Sequence, residues 1–142
     1  MAVVQDPTGA VFGLWQAGQH GGAQVANEPG SLSWNECVTS DAAAAADFYR
    51  AVCGYAVVVT TMAGVSYRVL QVDGRSVAGI SQTDGAPHWA TTFNVADTDA
   101  TCARAEQLGA RVLAQPTDLP EIGRYATLQD PVGATFGVIQ DP

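Results

Sequence analysis

From residue 32 onward the chain alternates between the hydrophobic period of a strand and that of a helix, and the alternation runs through twice. Residues 32–39 (LSWNECVT) read as a strand with Trp34, Glu36 and Val38 on one face and Asn35, Cys37 and Thr39 on the other. Over 41–53 the helical spacing collects Ala45, Phe48, Tyr49 and Val52 on one side, with Ser40 or Asp41 as the N-cap and Gly54 as the stop. Strands are predicted over 55–61, 66–73 and 76–82, the last two joined by a tight Asp73-Gly74 turn. The order then restarts. His88 to Val95 forms a strand, a helix runs from Asp97 or Thr98 to Leu108 and stops at Gly109, and strands follow over 110–114, 124–129 and 134–140. The pattern predicts an α+β chain of two β-α-β-β-β modules, 32–85 and 86–142.

A second regularity links the two ends. Residues 2–16, AVVQDPTGAVFGLWQ, return 124 positions later as 126–140, ATLQDPVGATFGVIQ. Each copy reads as strand, Asp-Pro-x-Gly turn, strand, with proline presetting φ and Gly9 or Gly133 taking the left-handed position. The period is that of a whole domain, so the pattern predicts a tandem-duplicated parent whose preceding domain would end in the 2–16 hairpin. Residues 17–31 (AGQHGGAQVANEPGS) are polar, Gly-rich and aperiodic, and read as a linker. If 126–140 fills the one sheet slot this domain offers, residues 2–16 are left with apolar Val3, Val11, Phe12, Leu14 and Trp15 to cover. That predicts a homodimer in which the hairpin adds to or swaps into a neighbour, the rival being a disordered remnant.

Composition narrows the function classes. The 142 residues are 47% hydrophobic and 14% charged, which suits one packed domain. Six basic residues, all arginine, face fourteen acidic ones, a net charge of −8 that disfavours nucleic-acid partners and favours cationic or neutral ligands. No apolar run approaches membrane-spanning length and no leader pattern is present, so a cytoplasmic protein without membrane contact is expected. Cys37, Cys53 and Cys102 form no C-x-x-C pair and read as reduced thiols. Phosphate-cradling, dinucleotide-binding and serine-nucleophile motifs are all missing.

The element order, Asp41 with Phe48-Tyr49 after it, Gly54-Tyr55, and Asp130-Pro-Val-Gly near the end together resemble the vicinal-oxygen-chelate superfamily. This group includes glyoxalases, bleomycin-resistance proteins and extradiol dioxygenases. Gly123-Arg124 ahead of DPVGATFG is similar, more narrowly, to the two-domain glyoxalase-like proteins of actinobacteria. The resemblance implies a curved, barrel-like mixed sheet with the helices outside. It also implies ligand positions for a divalent metal, one on the first and one on the last strand of each module. Here those positions carry Trp34, Ala90, Gly137 and, by analogy, Gly79, none of which offers imidazole, carboxylate or thiolate. No metal and no cofactor are expected.

The residues left on the ligand-bearing strand faces are then the candidate site. Trp34, Glu36 and Val38 share one face of the first strand; His88, Thr92 and Asn94 share the face of Ala90 on the fifth, and Thr91, Phe93 and Val95 pack beneath the helix. Glu36 and His88 are the candidate catalytic acid/base pair, since a carboxylate beside an imidazole raises its pKa. Glu36 also reads as a solvated edge carboxylate, and His88, after Ala86-Pro87, as a loop histidine. Trp34 is expected to line the cavity, and Trp89 lines it or joins the core. Arg124 reads either as an anion clamp or as a surface ion pair near Glu121, and His20 is given no role. Three readings stay open: a metal-independent domain that binds or sequesters an aromatic or cationic metabolite or antibiotic; a metal-free lyase, isomerase or cyclase using Glu36 and His88; and a structural half of a tandem protein.

Overall fold

The computed structural model describes residues 1–62 and 64–142. Its elements are β1 (Ala2–Gln5), β2 (Val11–Leu14), β3 (Leu32–Thr39), α1 (Ala42–Cys53), β4 (Ala56–Met62), β5 (Val65–Val72), β6 (Arg75–Gln82), β7 (His88–Asn94), α2 (Thr98–Gln107), β8 (Arg111–Leu119), β9 (Gly123–Gln129) and β10 (Thr135–Gln140). The α+β class and the doubled β-α-β-β-β order are as expected from the sequence. Among the described residues no helix is long and apolar enough to cross a membrane.

The chain divides into two compact units, Met1–Gly22 with Trp34–Trp89, and Ala23–Ser33 with Ala90–Pro142. In the first unit the strand order is β4-β5-β6-β3; β3 and β6 are parallel and the other pairs antiparallel. The second unit repeats this as β8-β9-β10-β7, with β7 and β10 parallel. Each unit thus brings its first and last strands side by side, which sets Glu36 beside Gly79 in one and Thr92 beside Gly137 in the other.

Local chemistry accounts for the helix ends. The Asp41 carboxylate accepts from the Ala44 N–H and the Asp97 carboxylate from the Ala100 N–H, so aspartate is the N-cap in both modules. Gly54 ends α1 at φ 73°, where a Cβ would be strained. Four alanine-sized or aromatic positions of α1 (Ala42, Ala45, Ala46 and Tyr49) are buried against Cys37, Leu70, Ala78 and Ile80. The small alanines let the helix lie close on the sheet. Val52, expected on this face, is 52% exposed, because at 100° per residue it sits to one side of the face centred on Ala42, Ala46, Tyr49 and Cys53. The second core is smaller: Cys102 of α2 meets Ala126, Leu128 and Val138, with Val95, Val112 and Phe136 packed alongside. β8 runs on to Leu119 through Pro116, well past the expected end at residue 114, since an edge strand tolerates a missing N–H donor.

Both copies of the QDP-x-GA motif form hairpins with the same turn. Asp6 Oδ1 accepts from the N–H groups of Thr8, Gly9 and Ala10 at 2.8–3.0 Å, and Asp130 Oδ1 from those of Val132 and Ala134 at 3.0 and 2.8 Å. Their surroundings differ. β9 and β10 lie inside a sheet, whereas, among the described residues, β1 and β2 pair only with each other and dock on the first unit's core. Ala10 is fully buried, and the Phe12 ring meets Phe48 at 6.0 Å and Tyr49 at 5.3 Å, edge to face. Within the chain the hairpin packs on α1, although Val3, Val11 and Trp15 stay exposed. The 17–31 segment is likewise more than a spacer. It divides after Gly22, and its end is tied down by the Gly30 N–H donating to the Asn94 carbonyl and the Asn94 N–H donating to that of Ser31.

Candidate functional site

The polar residues of the first unit gather at two places, one on each side of its sheet. On the side turned away from α1, strand alternation presents Trp34, Glu36 and Val38 from β3, Tyr67 from β5, and Gly79 and Ser81 from β6. These residues form one hydrogen-bonded chain. Trp34 Nε1 donates to the Tyr67 hydroxyl at 2.9 Å, that hydroxyl donates to Glu36 Oε2 at 2.8 Å, and Ser81 Oγ donates to Glu36 Oε1 at 2.5 Å. Tyr67 is 5% exposed, while Trp34 and Glu36 are half-buried. Burial, and after it the negative charge of Glu36, push the Tyr67 phenol above its ordinary pKa, so it stays protonated and serves as a donor.

Gly79 makes room for this chain. A Cβ there would stand 1.7 Å from the Tyr67 hydroxyl oxygen and 2.4 Å from Cζ, so only glycine lets the ring lie across β6. The second unit repeats the arrangement: a Cβ on Gly137 would stand 2.6 Å from Thr92 Oγ1 and 2.7 Å from the Tyr125 ring. Tyr67 and Tyr125 therefore occupy the space into which a side chain at either glycine would project. With Trp34 and Ala90 at the other two positions, the donor set does not fit a divalent metal. Among the described residues no group of three or more His, Cys, Asp and Glu could hold one.

The remaining sequence candidates are dispersed. His88, at the start of β7, is exposed, and its Nδ1 sits 2.8 Å from the carbonyl of Ala86 in the loop just before the strand. Glu36 accepts from Tyr67 and Ser81, and no hydrogen bond joins it to His88 among the described residues. Val38 is half-buried beside Ser81, its partner across the ladder. Thr92 packs at Gly137, and Asn94 is 2% exposed with its side-chain Nδ2 unsatisfied. Arg124 faces the other way. It shares the parity of Ala126 and Leu128, which pack under α2, and its guanidinium pairs with Asp99 and, at 2.8 Å, with Asp118. These two carboxylates raise its pKa; Glu121 is not its partner.

On the helix side of the first unit, the second polar group binds the hairpin. Asp6 Oδ2 accepts from the Tyr49 hydroxyl at 2.8 Å and from Cys37 Sγ at 3.9 Å, and Trp89 Nε1 donates to the same Tyr49 hydroxyl at 2.9 Å. Trp89 thus packs against the core while one side of it faces the adjoining cleft. Burial pushes the Cys37 thiol up to about 12, with Asp6 adding to the shift, so it is unreactive at neutral pH. A cleft of about 390 Å³ opens beside this cluster, lined by Phe12, Leu14, Tyr55, Val77 and Trp89 among others. A shallower one of about 490 Å³ follows α2. Trp34, Glu36 and Tyr67 line neither. The sequence pattern alone does not mark Tyr67 and Ser81, yet it holds a signal for them: glycine in mid-strand at Gly79 and Gly137 marks a close approach by a neighbouring side chain.

With two such modules and this pair of glycine-tyrosine crossings, the chain belongs to the glyoxalase-like domain family, whose model matches residues 35–139. Its fold is that of the vicinal-oxygen-chelate superfamily. A methylmalonyl-CoA epimerase of Streptomyces coelicolor, bound to 2-nitronate-propionyl-CoA, superposes with a TM-score of 0.59 at 21% identity, over 78% of this chain and 96% of that one. The methylmalonyl-CoA epimerase of Mycobacterium tuberculosis gives 0.57 at 19% identity, over 78% and 87%. Among curated proteins, the anthracycline biosynthesis protein DauV of Streptomyces sp. (strain C5) is 46% identical over 99% of this chain and 52% of its own length. CFP32 of Mycobacterium tuberculosis, which carries a provisional glyoxylase name, is 44% identical over 99% and 55%. The chain spans about half the length of these curated relatives.

Proposed function

We propose that this domain binds a small molecule of aromatic or cationic character on the sheet face of the first unit that carries Trp34, Tyr67 and Glu36, without help from a metal. The observation behind it is the Trp34–Tyr67–Glu36–Ser81 chain. A half-buried carboxylate is fixed by two hydroxyl donors beside an indole, which suits an amine or a ring that stacks and is held by charge. The acidic balance of the chain favours the same ligands. The anthracycline-biosynthesis name of one relative is in keeping with a polycyclic aromatic partner.

A second reading, a metal-free isomerase or lyase, is favoured by the fold shared with epimerases and by the same carboxylate. In that reading Glu36 is the base, and its hydrogen-bonded neighbour Tyr67 takes the partner's place expected of His88. Native mass spectrometry of protein purified without exchange identifies what is bound, and tryptophan quenching then measures its affinity. Trp34→Ala is expected to weaken binding by more than ~1 kcal/mol, as loss of an aromatic anchor does. Affinity unchanged in a folded Trp34→Ala protein rules out this face. Glu36→Gln separates the readings: turnover lost with affinity largely kept is the enzyme, and lost affinity with no turnover in either protein is the binder.

A further inference from the structure

Two strands, β4 and β8, each pair on one side only among the described residues, and the two edges are built differently. β8 (RVLAQPTDL) carries Arg111, Pro116 and Asp118, and its register with β9 shifts twice, between Val112 and Ala114 and between Ala114 and Thr117. Charges, proline and bulges are the devices by which sheets stop an edge from accepting another strand. β4 (AVVVTTM) has none of them. It holds seven consecutive, unshifted pairs with β5, from Ala56 opposite Gln71 to Met62 opposite Val65. Residues 57–61 are all β-branched, the type that favours strands. Val58 and Val59 are 44% and 65% exposed, and Val65 on the adjoining strand is 59% exposed.

We propose that β4 is an interaction edge that takes β4 of a second copy of this chain, antiparallel and centred on Val59. The strand is complementary to itself. Run against its own copy, it sets Val59 opposite Val59, Val58 opposite Thr60, Val57 opposite Thr61 and Ala56 opposite Met62, with no charge facing a charge. A two-fold axis through Val59 makes the contact isologous, so it closes at two copies and does not propagate. Two chains each carrying −8 repel over most of their surfaces, and a neutral edge is where they meet least repulsion. The charged residue directly across the ladder from Val59 within the chain is Arg68 on β5.

Sedimentation velocity of the full chain over about 1–200 μM tests this, with a concentration-dependent dimer expected. Val59→Glu sets two carboxylates opposite each other and is expected to raise the dimer dissociation constant at least tenfold. Within the chain the new glutamate faces Arg68, so the fold is kept, as circular dichroism and a thermal melt would verify. Mixing Val59→Glu with Val59→Lys restores the dimer, since the charges now pair; because the new lysine faces Arg68 within its own chain, its fold is verified by the same melt. Leu113→Glu on the β8 edge leaves it unchanged. Independently of any variant, amide exchange over 56–62 slows as the protein is concentrated. A wild-type chain that stays monomeric, a dimer indifferent to Val59→Glu, one broken by Leu113→Glu, or exchange in β4 without concentration dependence would each overturn the proposal.

Discussion

The Tyr67 hydroxyl is used twice, accepting from the Trp34 indole and donating to Glu36. Phenylalanine there would keep the ring over Gly79 and remove both bonds, leaving a half-buried N–H and a half-buried carboxylate oxygen short of a partner. Leaving such groups unsatisfied costs about 1–3 kcal/mol, with the lower end expected here because water reaches Glu36. Tyr67→Phe should therefore fold, melt a few degrees lower, and bind the site's ligand more weakly, because Trp34 and Glu36 lose their common tether. A variant with unchanged melting and unchanged affinity would show that the chain of hydrogen bonds positions nothing. Arg124 supplies the contrast. Its partners lie on the α2 side and its ion pairs are open to solvent, so Arg124→Ala is expected to leave ligand affinity alone.

At the scale of elements, the hairpin latch should respond to acid. Burial acts to raise the Asp6 pKa, but the hydrogen bonds from Thr8, from Tyr49 and from the backbone N–H groups of Ala10 and Thr8 together outweigh it and hold the carboxylate below its ordinary range. A carboxylate depressed in the folded state contributes stability that is complete above its unfolded value of about 3.9 and is lost as the pH falls through the folded one. Melting curves of wild type and Asp6→Asn should differ most above about pH 5, and the gap should close below about pH 4. A gap that widens in acid would contradict the latch. The elements on either side of this latch were legible from the sequence because their signals are local: aspartate caps three residues from the N–H they serve, glycine at the helix stop, alternation along β3 and β7. The docking of the hairpin was not, since it rests on a bond between residues 43 apart, Asp6 and Tyr49. For the same reason the face of β3 with Trp34 and Glu36 could be read, while Tyr67 and Ser81, which reach Glu36 from strands 31 and 45 residues away, could not. Of the two readings of Arg124, the surface ion pair is the one that parity favours, with Asp99 and Asp118 as its partners. Counting it with Ala126 and Leu128 turns it toward α2.

At the scale of the whole chain, the first unit joins two stretches far apart in sequence, and its Trp34–Trp89 part relies on the hairpin of residues 1–22. Ala10 fills a buried slot, Phe12 covers the Phe48 and Tyr49 rings, and Asp6 receives the Tyr49 hydroxyl. A chain beginning at Ala23 would leave the second unit's residues in place and strip these three contacts from the first. Covering an aromatic ring such as Phe12 is worth about 1.5–3 kcal/mol, and a hydrogen bond to a charged group about as much. Against a typical total of about 5–15 kcal/mol, the loss is a substantial fraction of the stability. At roughly 2–8 °C per kcal/mol for a domain of this size, the shortened chain should melt on the order of 10 °C lower. It should also bind a hydrophobic dye at the uncovered Phe48, Tyr49 and Trp89, and its Cys37 thiol should react with a thiol reagent that in the intact chain reaches the half-buried Cys53 but not Cys37. Equal melting and an equally unreactive Cys37 in the two chains would mean that the hairpin merely rests on α1.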